Sequence, residues 1–427
     1  MTTSNQLLER LTKAVREDAA IRRVRRLQPV AGQGDKIFPP TYPGERNSDS
    51  PRHVFERRRM SGADSLCVLV DSVQSQANRL EESLKAARES KALWFPAIRV
   101  DFSKTGVADL GSITTLDAPH RVFDAIIRDS ELDGKRFKET EHGRRLVEAK
   151  ANNARALFEL SPTALVFGAW NSTGEGGGLG AKFPRTVVSE LMGIGVATEP
   201  VPGTGETRPS GQRTGSRIDP LGIRSSVKVY KHPNGDWSLE APKVEAKTKG
   251  DKSKDKAPAA KEVRPSEVNH SNIAPSVTML GVSVDYVQHT FVLSLAALRR
   301  LRFAADGSAD ADAAARATLA ALGLVAAVAQ DRAGYFLRSR CDLVPEQSSS
   351  EVFQFVRANG STEDLALGFE DACALVKGAA AAAQSKGIAW RDSDLSLVPQ
   401  EKLVKLVEQS RQKALEGVEE AEGDSES

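Results

Sequence analysis

TALVFGAWNSTGEGGGLGAKFPRTVVSELMG, Thr163 to Gly193, is the stretch on which the fold turns. Five glycines fall within the seven residues Gly174 to Gly180, and Lys182, Pro184 and Arg185 follow closely. The apolar run TALVFG ahead of the glycines reads as a strand, and PRTVVSELMG after them reads as a helix. Strand, Gly-rich loop and helix in that order offer unpaired N–H groups to an anion. Three readings compete: a nucleotide phosphate site, a nucleic-acid backbone clamp, and a flexible surface loop. The P-loop pattern is absent, because Ala181 separates Gly180 from Lys182 and Phe183 stands where a hydroxyl is needed. Gly176 to Ala181 fits the looser dinucleotide pattern GxGxxA. A Rossmann turn, however, places its first glycine directly after the strand, whereas AWNSTGE intervenes here. A backbone clamp built from Gly176, Gly177, Gly178, Gly180, Lys182 and Arg185 depends on support from elsewhere in the chain.

The 427 residues carry a net charge of only +2, unevenly spread. Residues 1–60 hold 13 Lys/Arg against 7 Asp/Glu, and the last 27 hold 4 against 8. A basic amino end and an acidic tail point to a polyanion partner for the body. MTTSNQLLERLTKAVRED has no uninterrupted apolar core, so no signal peptide is expected. Ala313 to Ala329 is the longest apolar tract, and with Arg316 inside it reads as too polar and short to span a bilayer. Cys67, Cys341 and Cys373 are widely separated, which speaks against disulfides and zinc and for a cytoplasmic protein with no membrane partner.

An amphipathic helix is expected at about residues 5–19, then a loop, RRVRRLQPVAGQGDKIFPPTYPG. LCVLVD (66–71) reads as a buried strand. SVQSQANRLEESLKAARES comes next as a helix, with Ala77, Leu80, Leu84 and Ala87 forming its apolar stripe. AIRVDF and SITTLD read as short strands, APHRVFDAIIRDS and GRRLVEAKANNARALFEL as helices. SSVKVYKHPNGDWSLEA reads as a hairpin. Residues 242–263, lysine-rich and without an aromatic residue, are expected to be disordered. VTMLGVSVDYVQHTFVLSLAALRRLRF reads as a strand pair entering a helix. The rest is expected to be helical, with a solvated acidic end at 417–427. These elements predict an α+β fold, ferredoxin-like if the order is β-α-β-β-α-β.

The junction DSVQSQANRLE is unusually polar for the point where a buried strand meets a helix. Ser72, Gln74, Ser75, Gln76, Asn78 and Arg79 suit many hydrogen bonds to phosphates and sugars. Capping of the helix by Ser72 or Asp71 accounts for only one or two of them. Catalysis has little support: GxSxG, HExxH and paired-histidine patterns are missing, and the six histidines are scattered. His120 and His270 are the two of interest, as a helix-edge hydrogen bonder and a loop-ordering side chain or as RNA contacts. Asp219 reads as turn-forming before Pro220. No catalytic residue, metal or cofactor is expected.

LCVLVDSVQSQANRLEESL, ITTLDAPHRVFDAIIRDS, LSPTALVFGAWNSTGEGGGLGAKFPRTVVSELMG, SRIDPLGI, PSEVNHSNIAPS and LSLAALRRLRF together resemble the backbone subunit of type I-G (formerly I-U) CRISPR effector complexes, in the RAMP superfamily. The resemblance spans roughly residues 20–345. It implies an RRM-like palm, formed by 1–196 and 277–345, with a thumb inserted at 197–276. Helices at 346–416 lie outside it. It further implies a non-enzymatic protein that binds CRISPR guide RNA side by side with further copies of itself and pairs with target DNA only through the guide. Its other partners would be further type I effector subunits: a fused subunit for guide processing and the 5′ handle, a large subunit, and a recruited helicase-nuclease. Guide contacts are then expected at the polar junction and the Gly loop, and also at Arg23, Lys36, His120, Arg121, Arg217, Asn269 and His270. A nucleotide-dependent enzyme using residues 174–182, and a general RNA-binding RRM-like protein, remain the alternatives.

Overall fold

The computed structural model describes residues 3–44, 51–60, 62–171, 180–232, 236–240, 260–347 and 352–415. Its contacts divide the chain into two units, Met1–Gly211 with Leu280–Gln400, and Gln212–Met279 with Glu401–Ser427.

The first unit is α+β and is built on a nine-stranded sheet. Its elements in chain order are α1 (Thr3–Glu17), β1 (Ala20–Pro29), β2 (Phe55–Met60), β3 (Ala63–Asp71), α2 (Val73–Glu89), α3 (Thr163–Phe167), β4 (Val187–Ile194), β5 (Tyr286–Ser294), α4 (Ala309–Ala333), β6 (Tyr335–Arg338), β7 (Cys341–Pro345), β8 (Phe353–Val356), β9 (Thr362–Leu365) and α5 (Phe369–Ser385). The spatial order is β6-β7-β1-β5-β4-β3-β2, with β8 also paired to β1 and β9 to β8. Within it β7, β1, β5 and β4 run antiparallel in the ferredoxin-like order 4-1-3-2. A smaller five-stranded sheet joins Ile98–Asp101 and Ser112–Thr114 to Leu395–Pro399, Ser130–Leu132 and Lys135–Arg136.

Several expectations are corrected. Residues 20–29, read as the start of a loop, form β1 at the centre of the sheet. Ile21, Arg23, Arg25 and Leu27 alternate inward, and the two arginines disguised that period. TALVF is a helix, not a strand; every residue of it is buried, and a run buried on all sides shows no period that separates the two. TVVSELMG is the strand β4, not a helix, with Val187, Ser189 and Leu191 inward and Val188 outward. GRRLVEAKANNARALFEL breaks into Glu141–Val147 and Arg155–Leu160. The carboxyl region holds β8, β9 and Leu395–Pro399 beside its helices, because each completes a sheet begun far earlier in the chain.

α4 is the hub. Ala311 to Gln330 are all buried, with α1, α2 and α5 packed around the helix. A helix enclosed on every side carries no polar face, and small alanines let its neighbours approach. By length and composition α4 could cross a membrane, contrary to the sequence expectation; here that surface is covered by protein.

Two inward charges on β1 meet α4 at its end. Arg23 donates to both carboxylate oxygens of Asp331, at 2.5 and 2.9 Å, and Arg25 also pairs with Asp331 and with the Tyr335 hydroxyl. Burial alone would raise the Asp331 carboxyl; the two guanidiniums outweigh it and hold the group below its ordinary range. Burial, then Arg25 and Arg23, push His289 well below the usual imidazole value, so it is neutral. Its Nε2 lies 2.9 Å from the Ser189 hydroxyl on β4.

In the second unit Arg213–Arg217 pairs with Ile273–Thr278, and Val229–Lys231 pairs with Trp237–Ser238 and with Lys261–Val263. The expected hairpin is present, its Pro233–Gly235 turn lying outside the described residues. Of the segment 242–263 only 260–263 is described; Lys261–Val263 is a strand with Val263 buried, which corrects that end of the expected disordered stretch. Residues 242–259 and 417–427 lie outside the described residues.

Replacing Asp331 with Ala leaves Arg23 and Arg25 buried without their counter-charge. The expected loss of unfolding free energy is about 3–5 kcal/mol, read from urea denaturation of the full chain. Loss of under about 1 kcal/mol would show that the pair does not hold α4 to the sheet.

Candidate nucleic-acid interface

Helix α2 divides the polar junction between two directions. Ser72 caps the helix, its hydroxyl accepting from the Ser75 N–H at 3.2 Å. Ser75 turns back to Asp71 at 2.8 Å. Gln76 is fully buried: its amide nitrogen donates to Asp71 at 2.6 Å, and its oxygen accepts from Ser189 at 2.9 Å and Gln330 at 3.2 Å. Arg79 donates to Asp71 and to the Leu337 carbonyl, at 3.0 and 2.8 Å. Arg338 completes the ring on Asp71 at 3.2 Å. The expectation that Gln76 and Arg23 grip RNA is therefore corrected. Both are buried, and their partners are carboxylates, hydroxyls and amides of the first unit itself.

Gln74 and Asn78 point the other way. One helical turn apart and both exposed, they line a cleft of about 440 Å³ with Pro119, His120, Arg121, Phe167 to Trp170 and Lys182 to Arg185. Six residues expected from the sequence thus converge on one site: Gln74, Asn78, His120, Arg121, Lys182 and Arg185. No Asp or Glu lines the cleft among the described residues.

Behind its lining lies a buried ion pair. Arg121 donates from Nε and Nη2 to the two oxygens of Glu81, at 2.7 and 2.6 Å, and from Nη1 to the Gly168 carbonyl at 3.0 Å. Burial pushes the Glu81 carboxyl up to about 7, with Arg121 and then Arg185 opposing it. Arg121 is thus spent on organising the cleft. Arg185 is not: its Nε is buried without a hydrogen-bond partner among the described residues. Burial and the neighbouring Arg121 lower its pKa, with Glu81 opposing.

The front wall is a short ladder, Ala169 against Phe183 and Trp170 against Lys182, extended by the Asn171 N–H donating to the Ala181 carbonyl at 3.0 Å. It turns out of α3 at Gly168, whose φ of +87° suits glycine alone. A Cβ there would also lie 3.0 Å from Arg185 Cγ. At Gly180 a Cβ would fall 1.7 Å from the Asn171 carbonyl oxygen, so that glycine serves a close approach within the chain. Gly176, Gly177 and Gly178 lie outside the described residues. The helix α3 stands ahead of the Gly-rich segment and the strand β4 comes after it, so the strand–loop–helix frame of a dinucleotide site is absent. Trp170, 57% exposed with Lys182 Nζ 5.7 Å from its ring centroid, was missed by the sequence reading. Its signal was an aromatic directly ahead of the polar, glycine-rich run that begins at Asn171.

The remaining expected contacts lie elsewhere. Lys36 sits after β1 over the Phe38 ring. In the second unit Arg217 donates to the Ser271 carbonyl at 2.9 Å, Asn269 takes the left-handed conformation at φ 62°, and His270 meets Trp237 edge-on at 5.6 Å. Asp219 accepts from the Leu221 and Ser271 N–H groups at 3.0 and 2.6 Å, the turn expected of it.

Gln76→Ala leaves Asp71, Ser189 and Gln330 short of a partner, and is expected to cost about 1–3 kcal/mol of stability. Lys182→Ala, exposed and outside that network, is expected to unfold with the wild type. Thermal denaturation of the two side by side checks the division; equal midpoints for both would refute it.

A family model described as CRISPR-associated protein GSU0053 matches residues 21–198. No curated protein was found to match the chain. The matched segment runs from β1 to just past β4 and contains every residue that lines the cleft. The chain is similar to that family over this segment, and the match supports a CRISPR-associated role.

Proposed function

We propose that the chain is a guide-RNA-binding backbone subunit of a type I CRISPR effector complex, of the type I-G, RAMP kind. Many copies line one guide in the cytoplasm and present it to target DNA. The observation that carries the reading is the cleft of Gln74, Asn78, Lys182 and Arg185, cationic and with no Asp or Glu in its lining among the described residues, inside the segment similar to a CRISPR-associated family. Neutral amides and cations suit a phosphate and sugar track, and such a track leaves sequence choice to base pairing. The protein binds and does not cut; Asp219, whose carboxylate is taken up by main-chain N–H groups, shapes a turn. Further copies and the other effector subunits are its partners.

Nucleic acid recovered with the purified chain tests this. Uniform guide-length RNA, in particles holding several copies of the chain, is the expected result. Heterogeneous RNA would favour a general RNA binder, and recovered ATP or NAD with no RNA would favour a nucleotide-dependent enzyme. Either would overturn the proposal.

A further inference from the structure

We infer that the cleft seats one unpaired nucleotide of a single-stranded RNA, its base stacked on Trp170 and its phosphate held by Arg185 and Lys182. This rests on the guide-RNA reading and narrows it to the form of strand the palm accepts. Aromatic residues make up only 5% of the chain, yet Trp170 leaves 57% of its surface open on the wall of a cationic cleft. A ring so exposed adds little to the core. Stacking a base would bury it, and stacking tolerates any base because each has a π face.

Arg185 is the second, independent observation. Its Nε is shut off from water with no acceptor among the described residues, and the acid that acts on it, Glu81, already has both oxygens engaged by Arg121. Glu81 thus reaches Arg185 through space, without a hydrogen bond to its Nε. A phosphodiester supplies a negative charge and two acceptor oxygens. Lys182 stands opposite Trp170 in the ladder, so cation and ring are presented together. Gln74 and Asn78 on α2 offer neutral donors and acceptors to the sugar. A duplex hides its base faces in the stack and leaves Trp170 nothing to cover.

A free nucleotide carries the same nucleoside-phosphate chemistry, so the experiment separates the two. The full chain, stripped of RNA in high salt, is titrated with a labelled single strand of about 12 nucleotides. The same strand in duplex form is titrated alongside, with AMP and ATP as competitors, all by fluorescence anisotropy. The single strand is expected to bind about tenfold or more tighter than the duplex, and AMP and ATP not to displace it. Trp170→Ala should weaken single-strand binding about tenfold or more, while Trp170→Phe stays within about threefold. Arg185→Gln should reduce the slope of log affinity against log salt by about 0.7. Thermal unfolding identifies which variants are folded, and Lys182→Ala, exposed in the ladder, serves where another is not. Wild-type affinity in Trp170→Ala, equal affinity for duplex, or displacement by ATP would each overturn the inference. If such a result comes from protein that still purifies with guide-length RNA, the cleft assignment fails and the backbone reading stands. Absence of any RNA binding or recovery would remove both.

Discussion

Asp331 is held between two arginines that the sheet drives inward, and the arrangement of the first unit depends on that constraint. β1 cannot turn Arg23 and Arg25 to solvent without also exposing Ile21 and Leu27, since a one-residue slip moves the whole set to the other face. The charges therefore stay inside and require an anion there. α4 supplies it from its last turn, after burying twenty consecutive residues on the way. Tyr335 and a neutral His289 fill the remaining contacts, and His289 passes the connection to Ser189, Gln76 and Asp71. β1 is thereby tied to α4, and β3 and β4 to α2, by polar bonds as well as by packing, with His289 of β5 bonded to β4 between them. Replacing such a cluster with apolar groups can be neutral in stability. Its use here is to fix register among strands drawn from distant parts of the chain.

That fixed register lets α2 serve two purposes. Residues 76, 79 and 80 turn toward the sheet, and residues 74 and 78 turn toward the cleft, as the helical period requires. The cleft is rigid where rigidity matters: Arg121 is locked by Glu81 and the Gly168 carbonyl, and Thr186 holds the start of β4 against the carbonyls of α3. Trp170, Lys182 and Arg185 are then presented from a scaffold whose neighbouring groups are hydrogen-bonded in place. Preorganisation of that kind reduces the ordering cost of binding.

Much of this was legible in the sequence, and the failures have physical causes. The apolar stripe of α2, the strand before it, the short strands at 98–101 and 112–114 and the hairpin at 229–238 all carry local signals that matched the structure. The expected α+β class rested on them. β1 was lost because arginine occupies inward positions that normally hold apolar residues. α3 and β4 were exchanged because short buried runs lack a distinguishing period. The carboxyl strands pair with partners hundreds of residues away, which no local pattern encodes. At the site, six of the expected residues line one cleft, four of them read from the local sequence and His120 and Arg121 from the resemblance, but Gln76 and Arg23 were assigned outward. Residue type shows that a group needs hydrogen-bond partners, not whether those partners lie inside the protein.

The basic amino end behaves in the same way with respect to charge. Residues 1–60 carry an excess of six positive charges, which invites a nucleic-acid surface there. In the fold Arg10 and Arg16 pair with acids, Arg23 and Arg25 are buried on Asp331, and Arg58 bridges Glu56 and Glu190. Part of the excess is thus met by carboxylates far along the chain, Glu190, Asp310, Asp331 and Glu363. The cleft works in the opposite sense. Lys182 and Arg185 stand in a stretch of unremarkable net charge, yet no carboxylate lines the space they face among the described residues. Surface potential depends on which cations the fold leaves with few counter-charges, and among the described residues that favours the cleft at the end of α3 over the arginine-rich strand at the centre of the sheet.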